Sequence, residues 1–155
     1  MRRQDREVLQ PEQIDAIIES CDCLRLGLNA EDGAYIVPLN FAYVLGKPAK
    51  FYFHSAKEGR KVDMIGQGAK PGFELDGAHR LGEAETGCRH TFFYQSVIGT
   101  GTVRPVETLE EKKRALSAIM AHYRKDCAFS FTDEQADAVA VFCLTAETMS
   151  CKQHS

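Results

Sequence analysis

The sequence predicts an α+β domain built on an antiparallel sheet or small barrel. Three observations carry that expectation. About six segments have strand patterning, most are joined by hairpin-type turn signals, and three helical periodicities interrupt the strands at early, middle and late positions instead of alternating with them. A doubly wound sheet would need regular strand–helix alternation and a G-x-G-x-x-G turn, and neither is present. The 155 residues suffice for one core, so residues 1–155 read as a single domain. Hydrophobic residues at 44% and charged residues at 26% sit near globular averages, which excludes disordered and coiled-coil classes.

The first helix starts at Pro11, a favoured first helical residue, and runs to about residue 22 with Ile14, Ile17, Ile18 and Cys21 at helical spacing. Leu24, Leu26 and Leu28 then alternate with Arg25, Gly27 and Asn29. Glu31-Asp32-Gly33 turns this strand into Tyr35–Phe41, completing a hairpin. A second turn at Gly46-Lys47-Pro48 leads into Lys50-Phe-Tyr-Phe-His54, rich in aromatic strand formers. Ser55-Ala-Lys-Glu58 has the S-x-x-E form of a capping box, so Ser55 is expected to cap a short helix ending near Gly66 or Gly68. Phe73-Glu-Leu75 reads as a strand and Asp76-Gly77 as a turn. Phe92–Val106 is a long strand in which Gly99 and Gly101 mark a bulge or bend. Thr108-Leu-Glu-Glu111 opens the third helix, a polar loop follows, and Ala138–Leu144 closes the sheet.

A formal net charge of −3 gives no global basic field, which argues against a nucleic-acid or anionic-membrane partner and requires any anion site to be local. Six cysteines fall short of a disulfide-stapled scaffold and show no C-x-x-C pair, so they read as reduced, mostly buried thiols, with no metal site. The charged start, Met1 to Glu7, leads into no apolar run, so no signal peptide is expected and the compartment reads as cytoplasmic. No stretch is apolar enough to span a bilayer.

The most informative segment is His54-Ser-Ala-Lys-Glu-Gly-Arg-Lys61. A helix start offers free N–H groups and a positive dipole end, Ser55 adds a hydroxyl, and Lys57, Arg60 and Lys61 put three cations within two turns, Arg60 suiting a bidentate phosphate contact. The same residues also read as a plain capping box on a solvated basic helix, and the residues alone leave both readings open. Upstream, Pro38 within Ile36–Phe41 cannot donate to a ladder, so this strand lies at an edge or an irregularity where a ring could meet backbone groups and Asn40. A bare edge strand remains the alternative there.

Taken in order, Pro38-Leu-Asn-Phe41, Tyr52-Phe-His-Ser-Ala-Lys-Glu-Gly-Arg-Lys61 and Tyr94-Gln-Ser-Val-Ile-Gly99 resemble the FMN-binding split-barrel proteins related to pyridoxamine 5'-phosphate oxidase, and most closely their nitroimidazole-resistance-like branch. The resemblance runs from Arg2 to the C-terminal strand. It implies a six-stranded antiparallel split barrel, a homodimer, and FMN at the subunit interface. It further implies that Pro38, Leu39, Asn40 and Phe41 support the flavin ring, and that His54, Ser55, Ala56 and Gly59 line the cofactor site. Arg60 and Lys61 would bind its phosphate, and Ser96 would reach it from the long strand of either subunit. Gln95 stands where related sequences often carry Arg, removing one cation, and the substrate residues of the true vitamin B6 oxidases are not recognisable. The implied activity is reduction of a small substrate such as a nitroaromatic, with NAD(P)H as donor and His54 as the catalytic candidate beside the flavin. A non-catalytic flavin-binding protein and a haem-binding relative, whose axial ligand would come from His54, His79, His90, His122, His154 or a cysteine, are the alternatives.

Overall fold

One antiparallel sheet carries the chain in the computed structural model, which describes residues 3–66 and 68–155. Met1 and Arg2, where the family resemblance begins, lie outside the described residues. The strands are β1 (Glu7–Val8), β2 (Leu24–Ala30), β3 (Gly33–Leu39), β4 (Ala42–Val44), β5 (Lys50–Ser55), β6 (Gly72–Gly82), β7 (Thr91–Pro105) and β8 (Ala140–His154). The helices are α1 (Pro11–Ser20), α2 (Arg60–Ile65), α3 (Leu109–Tyr123) and α4 (Asp133–Asp137). Strand order is β3-β2-β6-β7-β8-β5-β4, with β1 added to β8. Six strands have six residues or more, as expected; the two- and three-residue strands β1 and β4 are too short to leave a period-two signature.

The first and last strands of that order, β3 and β4, are consecutive in the chain and separated only by Asn40 and Phe41. Three peptide steps reach at most about 11 Å, so the two ends of the sheet must meet and the sheet closes as a split barrel. Phe41 is buried at this seam. Its N–H donates to the Tyr123 hydroxyl at 3.1 Å, and that hydroxyl donates to the Asp22 carbonyl at 2.9 Å, so the last turn of α3 satisfies the backbone that leaves the ladder.

Alternation fills the barrel. Leu24 and Leu26, Phe51 and Phe53, Leu75, Val97, Val103 and Leu144 point inward and are fully buried. A second, smaller cluster of Val106, Ala115, Leu116, Ala136 and Val141 lies between the outer face of the sheet and α3–α4. The bend expected at Gly99 and Gly101 is present: the β7–β8 register shifts between Thr100 and Gly101, and a Cβ at Gly101 would run into the Thr145 carbonyl and sit 3.0 Å from Leu144 Cδ1.

Several boundaries differ from the sequence reading. Asp76-Gly77 is no turn, because β6 continues to Gly82 through a register shift between Gly77 and Arg80. Arg25 pairs with Glu74 and Asp76 on the neighbouring strand, which holds Asp76 in the ladder where a turn was expected. The polar loop after α3 contains α4, closed by a capping box between Thr132 and Gln135. Strand β8 extends to His154, ten residues past the expected end, because β7 pairs with it as far as Tyr94↔His154. Cys21 and Cys151 are buried, Cys23 and Cys143 half-buried, and Cys88 and Cys127 exposed; all six are free thiols. Among the described residues no helix is long and apolar enough to cross a membrane.

Candidate functional site

Strand β5 carries His54 opposite Val141 and ends at Ser55 opposite Ala140. The capping role expected of Ser55 is not realised. Its backbone is held in the β5–β8 ladder, and the chain needs Ala56–Gly59 to turn before α2 begins at Arg60 with no side-chain cap. Gly59 makes that turn possible: its φ of 126° lies in a region that L side chains rarely adopt. The charged turn is therefore centred on Gly59–Lys61, four residues beyond the expected cap.

The three cations of this turn have different partners. Lys57 pairs with Asp137 at the end of α4 at 3.1 Å, and Arg60 pairs with Asp32 in the β2–β3 turn at 2.6 Å while its guanidinium lies 4.6 Å over the Tyr35 ring. Both pairs are solvent-exposed, the class of ion pair that contributes little and exchanges readily for a better anion. Lys61 has no ion-pair partner among the described residues, and burial holds its pKa below the ordinary lysine value. A groove of about 440 Å³ lies beside this corner, bounded by Asn29, Ala30, Glu31, Asp32, Arg60 and Met64.

Strand β3 is an edge, one of the two placements Pro38 allowed, and pairs only with β2, Pro38 lying opposite Arg25. Pro38 and Asn40 are exposed, whereas Leu39 and Phe41 are buried in the core, so the latter two could meet a ligand only through their backbones. Asn40 lies two residues before Ala42, and Ala42 pairs with Tyr52, two residues before His54. Solvent reaches His54, yet the protein packed around its imidazole, and then the Lys61 ammonium, hold its pKa below the ordinary histidine value. Both effects favour the neutral ring, in which one nitrogen donates and the other accepts.

His54, Gly59, Arg60 and Lys61 thus share one corner of the barrel, and Arg60 reaches β3 at Tyr35, three residues before Pro38. Ser96 does not. It pairs with Lys152, eleven residues along β8 from Val141, roughly 36 Å of extended strand, and lines a separate cavity of about 310 Å³ with Glu7, Ile98, Ser150 and Lys152. Ser96 could join the corner only from a second copy. Sequence reasoning missed Asp32, Tyr35 and Asp137, the partners of the cations, because nothing local links a hairpin turn to a helix 28 residues later. It also missed α4, although Thr132-x-x-Gln135 has the capping-box form.

The model of the family described as pyridoxamine 5'-phosphate oxidase matches residues 10–153. The chain belongs to that family. Among solved structures, this family member is similar to a candidate 5-nitroimidazole antibiotic resistance protein from Bacteroides thetaiotaomicron, at 30% identity and TM-score 0.80, over 95% of this chain and 86% of the other. It also superposes on a FAD- and haem-binding protein from Mycobacterium smegmatis (15% identity, TM-score 0.81, 97% of this chain and 74% of the other). A FAD-binding protein from Mesorhizobium loti matches at 17% identity and TM-score 0.64, over 95% and 96% of the two chains. The last two likenesses are of fold. No curated protein matches the sequence.

Proposed function

We propose that this pyridoxamine 5'-phosphate oxidase family member is a homodimeric flavoprotein that holds FMN at the corner formed by Pro38–Phe41, His54–Ala56 and Gly59–Lys61. The observation that carries the reading is the pairing of a half-buried lysine without a counter-ion, Lys61, with an exchangeable arginine, Arg60, beside an edge strand. The donor set fits a phosphomonoester: two adjacent cations neutralise a dianion, and no protein atom lies within 4 Å of where a Cβ on Gly59 would sit, so a ligand can approach the backbone there. Asn40 and the neutral His54 suit the hydrogen-bonding rim of a heteroaromatic ring. The flavin and haem proteins of the same fold support a flavin, and the nitroimidazole-resistance relative supports a nitroaromatic substrate.

Bound FMN would supply reversible one- and two-electron chemistry. Within that site Arg60 would exchange Asp32 for the phosphate, Lys61 would balance its second charge, and His54 would hold or deliver a proton at an imidazole nitrogen toward a small reducible substrate, with NAD(P)H as the source of electrons. Ser96 would come from the second subunit. The test is the absorption spectrum of purified protein: flavin bands support the reading, and a Soret band without flavin overturns it in favour of a haem protein. Arg60→Ala with Lys61→Ala should weaken FMN binding at least tenfold, since hydrogen bonds to a charged group are each worth about 1.5–3 kcal/mol. Turnover of NAD(P)H with a nitroaromatic acceptor separates an oxidoreductase from a protein that only stores flavin.

A further inference from the structure

On the outer face of β5, His54 opens into a cavity that neither the cation turn nor the edge strand accounts for. It measures about 240 Å³ and is walled by Leu116, Ile119 and Met120 of α3, by Phe131 and Val139, and by Gln135 of α4. We infer that this cavity is the substrate pocket of the site, and that it takes an uncharged single-ring aromatic molecule bearing one hydrogen-bond acceptor. The inference rests on the flavin reading for its place in a reaction, and on the cavity alone for its ligand.

Size sets the ring count. An apolar cavity of about 150 Å³ holds one benzene, so this volume takes one ring with a substituent and is too small for a two-ring nucleotide base with its sugar. Chemistry sets the charge. Five of the seven lining side chains are apolar, and no Lys, Arg, Asp or Glu lines the cavity, so an ionised ligand would enter without a counter-charge. The two polar walls set the substituent. Gln135 Oε1 accepts the Thr132 N–H at 3.0 Å in the α4 capping box, which fixes the amide so that its NH₂ is left to donate. His54 makes no side-chain hydrogen bond among the described residues, and its neutral imidazole offers a second N–H. A carbonyl or nitro oxygen is the acceptor that such N–H donors call for. His54 also ties the pocket to the cofactor corner, since the same residue lies near Lys61.

Benzamide is the direct probe, toluene its counterpart without an acceptor, and benzoate the charged control. Titration into uniformly prepared, ¹³C-methyl-methionine-labelled protein, followed through the Met120 methyl resonance, should show saturable shifts with benzamide, with benzoate weaker by about tenfold or more. Gln135→Glu preserves the oxygen that accepts from Thr132 but removes the NH₂ donor, so benzamide should bind about tenfold more weakly while toluene changes little. Met120→Trp fills the cavity and should abolish binding of both, followed in that variant by calorimetry. No Met120 shift with either neutral probe, benzoate binding as tightly as benzamide, or undiminished benzamide binding in Met120→Trp would each overturn the inference. The visible spectrum of the same sample reports flavin independently: flavin without benzamide binding sinks only the pocket, and benzamide binding without flavin sinks only the cofactor reading.

Discussion

Replacing Tyr123 by Phe removes one oxygen atom and should loosen the seam of the barrel. That oxygen accepts the Phe41 N–H at 3.1 Å and donates to the Asp22 carbonyl at 2.9 Å. Each neutral hydrogen bond is worth about 1 kcal/mol net, and a buried donor left without a partner costs roughly 1–3 kcal/mol. Phe41 is buried, but Tyr123 is 36% exposed, so water reaches the hydroxyl and partly replaces it. The lower half of the range therefore applies, about 1–2 kcal/mol. For a domain of this size each kcal/mol lowers Tm by about 2–4 °C, which sets the expected loss at roughly 2–8 °C. Urea unfolding should show a lower midpoint with an unchanged slope, because the same surface is exposed on unfolding. FMN affinity should fall with it, since Pro38–Phe41 carries the cofactor contacts under the proposed function. A stability change below about 0.5 kcal/mol, the range of neutral surface substitutions, would refute the claim that this hydroxyl closes the seam.

Three further outcomes follow from the same geometry. Asp32→Asn removes the carboxylate that competes with a phosphate for Arg60, so it should leave folding nearly unchanged and tighten FMN binding by about two- to fivefold in a fluorescence titration, in keeping with the small worth of exposed pairs. Gly101→Ala drives a Cβ into the Thr145 carbonyl, a backbone atom that cannot rotate away, and should cost about 3 kcal/mol in chemical denaturation, the upper part of the overpacking range. The folded-state pKa of His54 lies below its unfolded value of about 6.5, so the unfolded chain takes up the proton first and stability falls as pH drops through that value. Thermal melts between pH 7.5 and 5 should show that slope in the wild type and a shallower one in His54→Asn.

The strands that pack two-sided patterns were legible because burial forces their period: Leu24-Leu26-Leu28 and Phe51-Phe53 announce both an element and an inward face. Pro38 likewise pointed to an edge or an irregularity, since its missing N–H disfavours a central position, and β3 is the edge. The tail of β8 did not show, because Lys152, Gln153 and His154 are poor strand formers held in place by pairing with β7, a long-range cause with no local trace. The same holds for the cation turn. Its residue types were evident, but Ser55 looked like a cap because S-x-x-E is a local signal, and the ladder with β8 outranks it. The carboxylates that hold Lys57 and Arg60 are set by tertiary approach alone. Ser96, grouped with the corner by resemblance, is separated from it by the fold: it stands on β7 opposite Lys152, near the far end of β8, so the interface role expected of it depends on assembly.

Pro38 has a consequence that reaches beyond ligand binding. An exposed outermost strand ordinarily invites a neighbour's strand to add to it, and a molecule that must keep such a strand uncovered for a cofactor invites fibre growth whenever that cofactor is scarce. A proline one residue from the end of β3 offers an incoming strand one donor fewer, while its carbonyl remains open to a small molecule. Under the proposed function the residue would admit a flat ring while denying an incoming strand full ladder pairing. Replacing it by valine would restore the missing donor and make cofactor-free protein prone to self-association.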